Sequence, residues 1–257
     1  MKKLLFASVS LAALVGSHAA TAADLPPAPP IYRAPVAAPA PYYSWTGLYI
    51  GGNAGYDWTR GKSTTTAAVG FPVIAPILES TSGHGFFGGG QIGFNYAFGP
   101  SFVAGLEADF QGTSNKTTVI SPDGSNQHVG RLDLVGTGRA RLGFSANNWL
   151  FYGTGGVGWS EGKVTRTQLT GILNLAPAGT VESVNNSRVG WTAGGGIEVG
   201  LANNWTVRAE YLHLELGNVT YTFPLAGRTT TSTLNMDVVR GAFNYKFSWV
   251  EPISSRY

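Results

Sequence analysis

The chain has 257 residues, no cysteine, and a small excess of Lys and Arg (17) over Asp and Glu (14). The lack of cysteine excludes a disulfide framework and a lipoprotein anchor. The basic residues behind the net charge of +3 are spread along the chain, so nucleic acid is not expected as a partner. Charged residues make up only 12% of the chain, about half of the usual share, and the length suits one large domain.

Residues 1–22 are predicted to be a signal peptide. Lys2 and Lys3 precede an apolar run, Leu4–Val15, and small residues end the segment, so cleavage is expected between Ala22 and Ala23. The apolar run is too short for a membrane-spanning helix, and no later run reaches the ~18 apolar residues that such a helix needs. We therefore expect an exported protein without a transmembrane helix.

Residues 23–43 are predicted to be a periplasmic segment rich in proline. Half of the chain's 14 prolines occur here, and such a composition favours polyproline II structure and cannot build a core. The composition is compatible with a plain spacer and with a recognition segment for the cell wall or a partner protein.

Eight later segments alternate between apolar and polar residues. In Phe102–Gln111, every second residue from Phe102 to Phe110 is apolar, whereas Glu107 and Asp109 lie in the other set. Successive side chains of a strand point to opposite faces, so each segment is predicted to be a strand. The eight segments are Trp45–Trp58, Gly85–Phe98, Phe102–Gln111, Arg131–Phe144, Trp149–Ser160, Arg188–Leu201, Trp205–Leu214 and Asp237–Phe247.

The apolar set carries no Asp, Glu, Lys or Arg across the middle of these segments. A Lys or Arg that faced lipid at the midplane would cost ~2–4 kcal/mol, which explains this exclusion. The polar set carries many glycines and suits a crowded interior. The pattern predicts an all-β fold over residues 44–247, a transmembrane antiparallel up-and-down β-barrel of eight strands and of the small outer-membrane type.

The connections between the segments alternate in length. The short ones, Gly99–Ser101, Ser145–Asn148 and Ala202–Asn204, are expected in the periplasm, because outer-membrane barrels have short periplasmic turns. Both termini then lie in the periplasm, including a tail at residues 248–257. The long connections are explained either by strands that continue past the membrane or by a partner-binding surface. They are Thr59–Gly83, Gly112–Gln127, Glu161–Ser187 and Leu216–Leu234.

Aromatic residues flank the short turns and are predicted to form a girdle at the periplasmic interface. The last segment ends in alternating aromatic residues, a pattern expected to be recognised by the barrel-insertion machinery. The girdle residues are Phe98, Phe102, Phe144, Trp149, Trp205, Tyr245 and Phe247.

Charged residues on the inward set are the candidate functional group. An eight-stranded barrel is just wide enough for side chains to fill it, and charges packed there must pair. Glu107 with Arg139 or Arg141, on neighbouring strands, is the first pair expected. A network that plugs the barrel is favoured over a narrow pore with the same lining. The members are Glu107, Asp109, Arg131, Asp133, Arg139, Arg141, Glu198, Arg208, Glu210, Arg240 and Lys246.

Several motifs identify the chain as similar to a known family. They include Trp45-Thr46-Gly47-Leu48-Tyr49-Ile50-Gly51-Gly52-Asn53, Arg139-Ala140-Arg141-Leu142-Gly143 and Val189-Gly190-Trp191-Thr192. The chain resembles the small outer-membrane proteins of alphaproteobacteria described as outer-membrane immunogenic or porin-family proteins, over essentially the whole mature chain. The resemblance implies an abundant envelope protein and, in some relatives, haem binding or host interaction.

Other motifs predict no catalytic or cofactor site. The glycines of Gly153–Gly158 match a dinucleotide fingerprint, but a strand follows them where the fingerprint needs a helix. His84, His128 and His213 lack metal-ligand spacing and a nearby serine nucleophile.

The predicted function is non-enzymatic: an outer-membrane barrel that stabilises the envelope and interacts at the cell surface. Its expected partners are outer-membrane lipid and lipopolysaccharide, the barrel-insertion machinery, and the cell wall through the Pro-rich segment. No cofactor is expected. The alternatives are a narrow small-solute porin, a haem-binding surface protein and a lipid-modifying enzyme.

Overall fold

A computed structural model describes residues 43–70, 74–171 and 176–247. The predicted signal peptide with its cleavage site at Ala22 and Ala23, most of the Pro-rich segment and the tail at 248–257 lie outside these residues. In the described part of the chain, no helix is long and apolar enough to cross a membrane.

The described residues form antiparallel strands. In each short turn between them, one residue has the left-handed backbone conformation with positive φ. Gly99, Asn147 and Asn204 have φ of 67°, 54° and 68° in these turns, a conformation that Gly and Asn adopt more readily than other residues. The strands are β1 (Gly47–Ala67), β2 (Ile77–Phe98), β3 (Phe102–Thr113), β4 (Lys116–Ile120), β5 (Asn126–Ala146), β6 (Trp149–Gln168), β7 (Val181–Gly200), β8 (Trp205–Phe223) and β9 (Arg228–Lys246).

The strands form one closed antiparallel ring. Strands that are neighbours in sequence pair with each other, except that β3 and β4 both pair with β5 and not with one another. The ring closes where β1 pairs with β9 from Tyr49↔Lys246 onward. The prediction of a closed up-and-down barrel is confirmed, but the strand count of eight is wrong, because the described residues form nine strands. The ninth strand arises in the predicted connection after the third segment: β3 ends at Thr113, and after Ser114 and Asn115 the chain forms β4, which pairs with β5.

The interruption between β3 and β4 has a local cause. The backbone N–H of Ser114 donates to Phe86 O at 2.9 Å, and the buried Asn115 side chain turns inward to donate to Asp57 and to Thr59. Asn115 occupies space that two glycines leave open on β2, since a Cβ at Gly83 would meet the Asn115 side-chain oxygen and one at Gly85 would meet the Asn115 backbone.

Most residues of the predicted long connections belong to the strands that flank them. Apart from β3 and β4, every strand has 19 to 22 residues, whereas about 9–11 residues are enough to cross a bilayer. Thr59–Thr65 and Ile77–Gly83, for example, pair with each other in the far halves of β1 and β2. The barrel wall therefore continues well beyond the apolar band, as the first of the two explanations for these connections required.

The outer face carries a continuous apolar band. Leu106 is 68% exposed and is flanked by the exposed Phe94 and Ala140 on the neighbouring strands. The predicted girdle lies at the short-turn end, with the ring centroids of Phe98 and Phe102 5.9 Å apart and those of Trp205 and Tyr245 5.0 Å apart. Its other members, Phe144, Trp149 and Phe247, are exposed beside them.

The interior is layered along the barrel axis. Trp45, Val103 and Leu150 pack nearest the short turns, and charged residues follow them. An apolar layer comes next, and polar residues line the far end towards the long connections. The members of the apolar layer are Phe87, Val135, Leu212, Leu214, Leu216, Met236 and Val238.

Candidate functional site: a buried ion-pair network

Eight charged side chains from five strands meet inside the barrel between the two apolar clusters. Each is at most 5% exposed, and the four cations match the four anions in number. The cations are Arg139, Arg141, Arg208 and Arg240, and the anions are Glu107, Asp109, Glu198 and Glu210. The alternation of each strand directs these residues inward, and closure of the ring brings strands from distant parts of the chain together.

Glu107 lies at the centre of the network. Its carboxylate accepts hydrogen bonds from Arg139 and Arg208, and Arg240 Nη2 lies 3.4 Å from Glu107 Oε1. Tyr49 donates its hydroxyl to the other oxygen, Oε2. Charges taken out of water need such partners, because an unpaired buried ion costs several kcal/mol.

Asp109 and Glu210 extend the network towards the apolar layer. Arg139 Nη2 and Arg240 Nη2 lie 2.8 and 2.9 Å from Asp109 Oδ2. Glu210 accepts from Arg139 Nη1 at 3.1 Å and from Arg240 Nε at 2.7 Å. The two arginines therefore join carboxylates on β3 and β8 across the width of the barrel.

Glu198 anchors the opposite edge, nearer the short turns. Its Oε2 accepts from Arg141 Nη1 at 3.0 Å and from Arg208 Nε at 3.1 Å. Asn244 and Thr206 donate to its other oxygen. Uncharged partners thus fill the positions around the carboxylate that arginine does not reach.

Two tyrosines that the sequence prediction missed complete the network. Tyr49 and Tyr152 donate their hydroxyls to Glu107 and Glu210, and their rings pack against Arg141 and Arg208 at 4.9–5.6 Å. A guanidinium over an aromatic ring is stabilised by the ring quadrupole. Both tyrosines belong to the inward set of their strands, so the alternation that identified the charges could have identified them.

Lys246 is inward and buried but lies outside the network. Its ammonium group donates to the backbone carbonyl of Ser44, and its Nζ is 5.3 Å from the ring centroid of Tyr43. It lies at the short-turn end of β9, six residues from Arg240, and interacts with the chain entering β1.

The prediction that Arg131 and Asp133 face inward is wrong. Leu132 pairs with Gly162 and Leu134 with Glu161, so two steps on β5 match one step on β6. Such a bulge reverses the alternation beyond it. The Arg131 and Asp133 side chains are 66% and 57% exposed and lie 3.9 Å from each other on the outer face.

The bulge completes an outward row of three cations that the sequence prediction also missed. Lys116 pairs with Arg131, which pairs with Lys163, so the three residues occupy directly opposed positions on β4, β5 and β6. All three are exposed. Like charges directly opposed on neighbouring strands are destabilising, and Asp133 offsets only part of this repulsion.

His213, on the outward set of β8, pairs with an acidic residue. His213 Nδ1 lies 2.8 Å from Asp237 Oδ1, which also accepts from the Tyr211 hydroxyl at 2.7 Å. No hydrogen bond to a serine accompanies this pair among the described residues, and these residues contain no group of three or more metal-ligating side chains. Gly153–Gly158 lies within β6, as its continuation into a strand predicted.

Known proteins resemble this chain along nearly its whole length. The family model described as outer membrane protein beta-barrel domain matches residues 9–247. The 31 kDa outer-membrane immunogenic protein of Brucella melitensis is 36% identical over 255 residues, covering 96% of this chain and 100% of the relative. The 25 kDa outer-membrane immunogenic protein of Brucella abortus is 32% identical over 239 residues, covering 93% and 96%. Among solved structures, the outer membrane protein OprG from Pseudomonas aeruginosa is 11% identical, with a TM-score of 0.43, over 79% of this chain and 97% of that chain.

Proposed function

Because this chain belongs to the outer-membrane β-barrel protein family and lies in the outer membrane, we propose that it is a closed, non-enzymatic barrel that stabilises the envelope. Charged residues plug its interior, and its extended wall presents the long connections to the cell exterior. The relatives are named for their location and immunogenicity, which suits a surface protein.

The balanced ion-pair network carries this proposal. Its four arginines and four carboxylates contact one another across the barrel, and no member is more than 5% exposed. A water-filled porin would keep charged side chains solvated along its lumen, whereas these eight have lost almost all contact with water. The apolar layer above them adds a second barrier, since ions do not cross a packed apolar layer without a large desolvation cost.

The test is single-channel conductance of the purified, folded protein in planar lipid bilayers. We expect no stepwise conductance above the bare bilayer, with a known porin inserted under the same conditions as the positive control. Reproducible steps from the wild-type protein would reject the plug and favour the narrow-porin alternative.

Lipopolysaccharide is the partner that the outward cation row favours. On β6, Lys163 lies four residues beyond the outward Trp159, on the side of the long connections. Its pairing partners on β5 and β4, Arg131 and Lys116, lie at the same level of the barrel. Phosphate groups of lipopolysaccharide at this interface would offset the mutual repulsion of the three cations. The partners expected elsewhere, the cell wall at the Pro-rich segment and the insertion machinery at the last strand, remain part of the same proposal.

We expect lipopolysaccharide to stabilise the barrel through this row. Its addition to phospholipid vesicles should raise the unfolding temperature of the wild-type protein, and the triple variant K116Q/R131Q/K163Q should lose most of that rise. The single variant Lys62→Gln, an exposed cation on β1 away from the row, serves as the control. An equal rise in the triple variant would exclude the row as the contact.

A further inference from the structure

A polar cavity of about 110 Å³ lies inside the barrel beyond the apolar layer. Its wall includes serine and threonine hydroxyls from several strands, together with His128, Asn186, Arg188 and Tyr221. A single buried water needs roughly 10–15 Å³, so the cavity has room for a small solute with its hydration water. The apolar layer separates it from the ion-pair network.

Arg188 is the unusual residue of this cavity. It is only 5% exposed, yet it has no carboxylate oxygen within 4.0 Å in the described part of the chain. Its Nη1 donates to the backbone carbonyls of Ser232 at 2.9 Å and Gly217 at 3.3 Å, while its buried Nε has no partner. The four arginines of the network, by contrast, each contact at least one carboxylate.

One carboxylate, that of Glu79, belongs to the cavity wall and is already paired. Glu79 accepts from the Ser121 hydroxyl at 2.7 Å, and its other oxygen lies 3.1 Å from His128 Nδ1. Burial alone would raise the pKa of the Glu79 carboxyl, but the hydrogen bonds from His128 and Ser121 outweigh it and hold the pKa below its usual value. Glu79 is therefore an ionised partner of His128 and does not neutralise Arg188.

Two further polar atoms of the cavity wall are also open. His128 Nε2 and Asn186 Oδ1 are buried and have no hydrogen-bond partner among the described atoms. The bond to Glu79 orients the His128 ring, so that Nε2 is the nitrogen left for a ligand. The guanidinium of Arg188 supplies the donors for a small anion with several oxygens. The Asn186 oxygen and the His128 Nε2, whose ring donates from Nδ1 to Glu79, are acceptors that suit a hydroxyl group of the ligand or its hydration water.

We propose that this cavity binds a small oxyanion, held by the Nε–Nη2 edge of Arg188. This edge of the guanidinium forms the paired hydrogen bonds by which arginine recognises carboxylate, phosphate and sulfate. The ligand enters from the side of the long connections and stops at the apolar layer. The site is thus a binding vestibule, independent of whether the network below it is a plug.

Sulfate and acetate are the probes for this site, with chloride as the reference at matched ionic strength. Binding to the folded protein in detergent should raise the unfolding temperature of the wild type with sulfate or acetate over chloride. Arg188→Gln should abolish that rise and lower the apparent affinity by about tenfold or more. In chloride alone, Arg188→Gln should be as stable as the wild type or more stable, because the change removes a buried charge without a paired anion.

Two further variants separate the charge of Arg188 from its paired donors and from general effects of salt. Arg188→Lys retains the charge but loses the paired donors, and it should bind sulfate more weakly than the wild type. Lys62→Gln, on the outer face of β1, should respond to the probes as the wild type does. The proposal is overturned if sulfate and acetate do not raise the unfolding temperature of the wild type over chloride, or if Arg188→Gln retains that rise. It is also overturned if Arg188→Gln strongly destabilises the protein in chloride, since Arg188 would then stabilise the fold through its bonds to Gly217 and Ser232.

Discussion

Replacing Glu107 by alanine is expected to lower the free energy of unfolding by about 3–5 kcal/mol, the usual cost of removing one partner from a buried ion pair. The Glu107 side chain is 2% exposed and lies within ion-pair distance of Arg139, Arg208 and Arg240. Four arginines would then face three carboxylates in a space that water does not reach. Repulsion among the arginines and the loss of the hydrogen bonds to Glu107 both lower the free energy of unfolding.

Urea unfolding in lipid vesicles, followed by tryptophan fluorescence, measures this effect. Glu107→Gln removes the charge but keeps the shape of the side chain, so it separates the effect of charge from that of volume. Most of the decrease in the free energy of unfolding should persist in this variant. The double variant E107Q/R208M removes one charge of each sign and should recover part of the stability. Such non-additivity is expected for residues in one network.

The matched control is Glu215→Gln, which alters the same residue type at an exposed position on the outer face of β8. It should change the unfolding free energy little. If Glu107→Ala and Glu215→Gln unfold at the same urea concentration, the network does not stabilise the barrel, and the envelope role built on it loses its support.

Placing arginine at Leu106 is expected to destabilise the inserted barrel by about 2–4 kcal/mol, the cost of a cation that faces lipid near the midplane. Leu106 lies on β3, and its directly opposed neighbours, Phe94 on β2 and Ala140 on β5, are apolar and exposed. The measurement is the same urea titration in vesicles, together with the yield of heat-modifiable folded protein.

Thr118→Arg is the control for this change. Thr118 is exposed on β4, beyond the apolar band, and an arginine there should be tolerated. Replacement of Ala140 by arginine, at the position paired with Leu106, should behave like Leu106→Arg. Equal folding of all three variants would show that the face assigned to lipid is the wrong one.

The alternation of residues made the fold predictable from the sequence. In Phe102–Gln111 lipid and the packed interior impose opposite requirements on successive side chains, so a period of two records which face each residue occupies. The far halves of the strands were harder to predict, because outside the band neither face meets lipid. Thr59–Ala67 is polar on both faces, and its strand structure comes from pairing with β2 and β9.

The bulge in β5 shows where alternation alone fails. Leu132 and Leu134 continue the apolar set of Ala140 and Leu142 without a break in the sequence. The extra residue is visible only in the pairing with β6, where Leu132 meets Gly162 and Leu134 meets Glu161. Arg131 therefore faces outward, against the prediction from its position in the sequence.

The sequence by itself determined the barrel, its lipid-facing band and the inward direction of the charged residues in the band, because these depend on the local alternation of each strand. The tertiary structure alone decided which charges meet. Glu107 contacts Arg208 and Arg240, which are 101 and 133 residues away in the sequence. The contacts form because the pairing of β9 with β1 closes the sheet into a barrel, so that inward side chains from distant strands meet across its interior. Among the described residues, the same closure left Arg188 without a carboxylate partner. Pairing across a barrel depends on the height of each residue along the axis, which register and bulges set only in the folded chain.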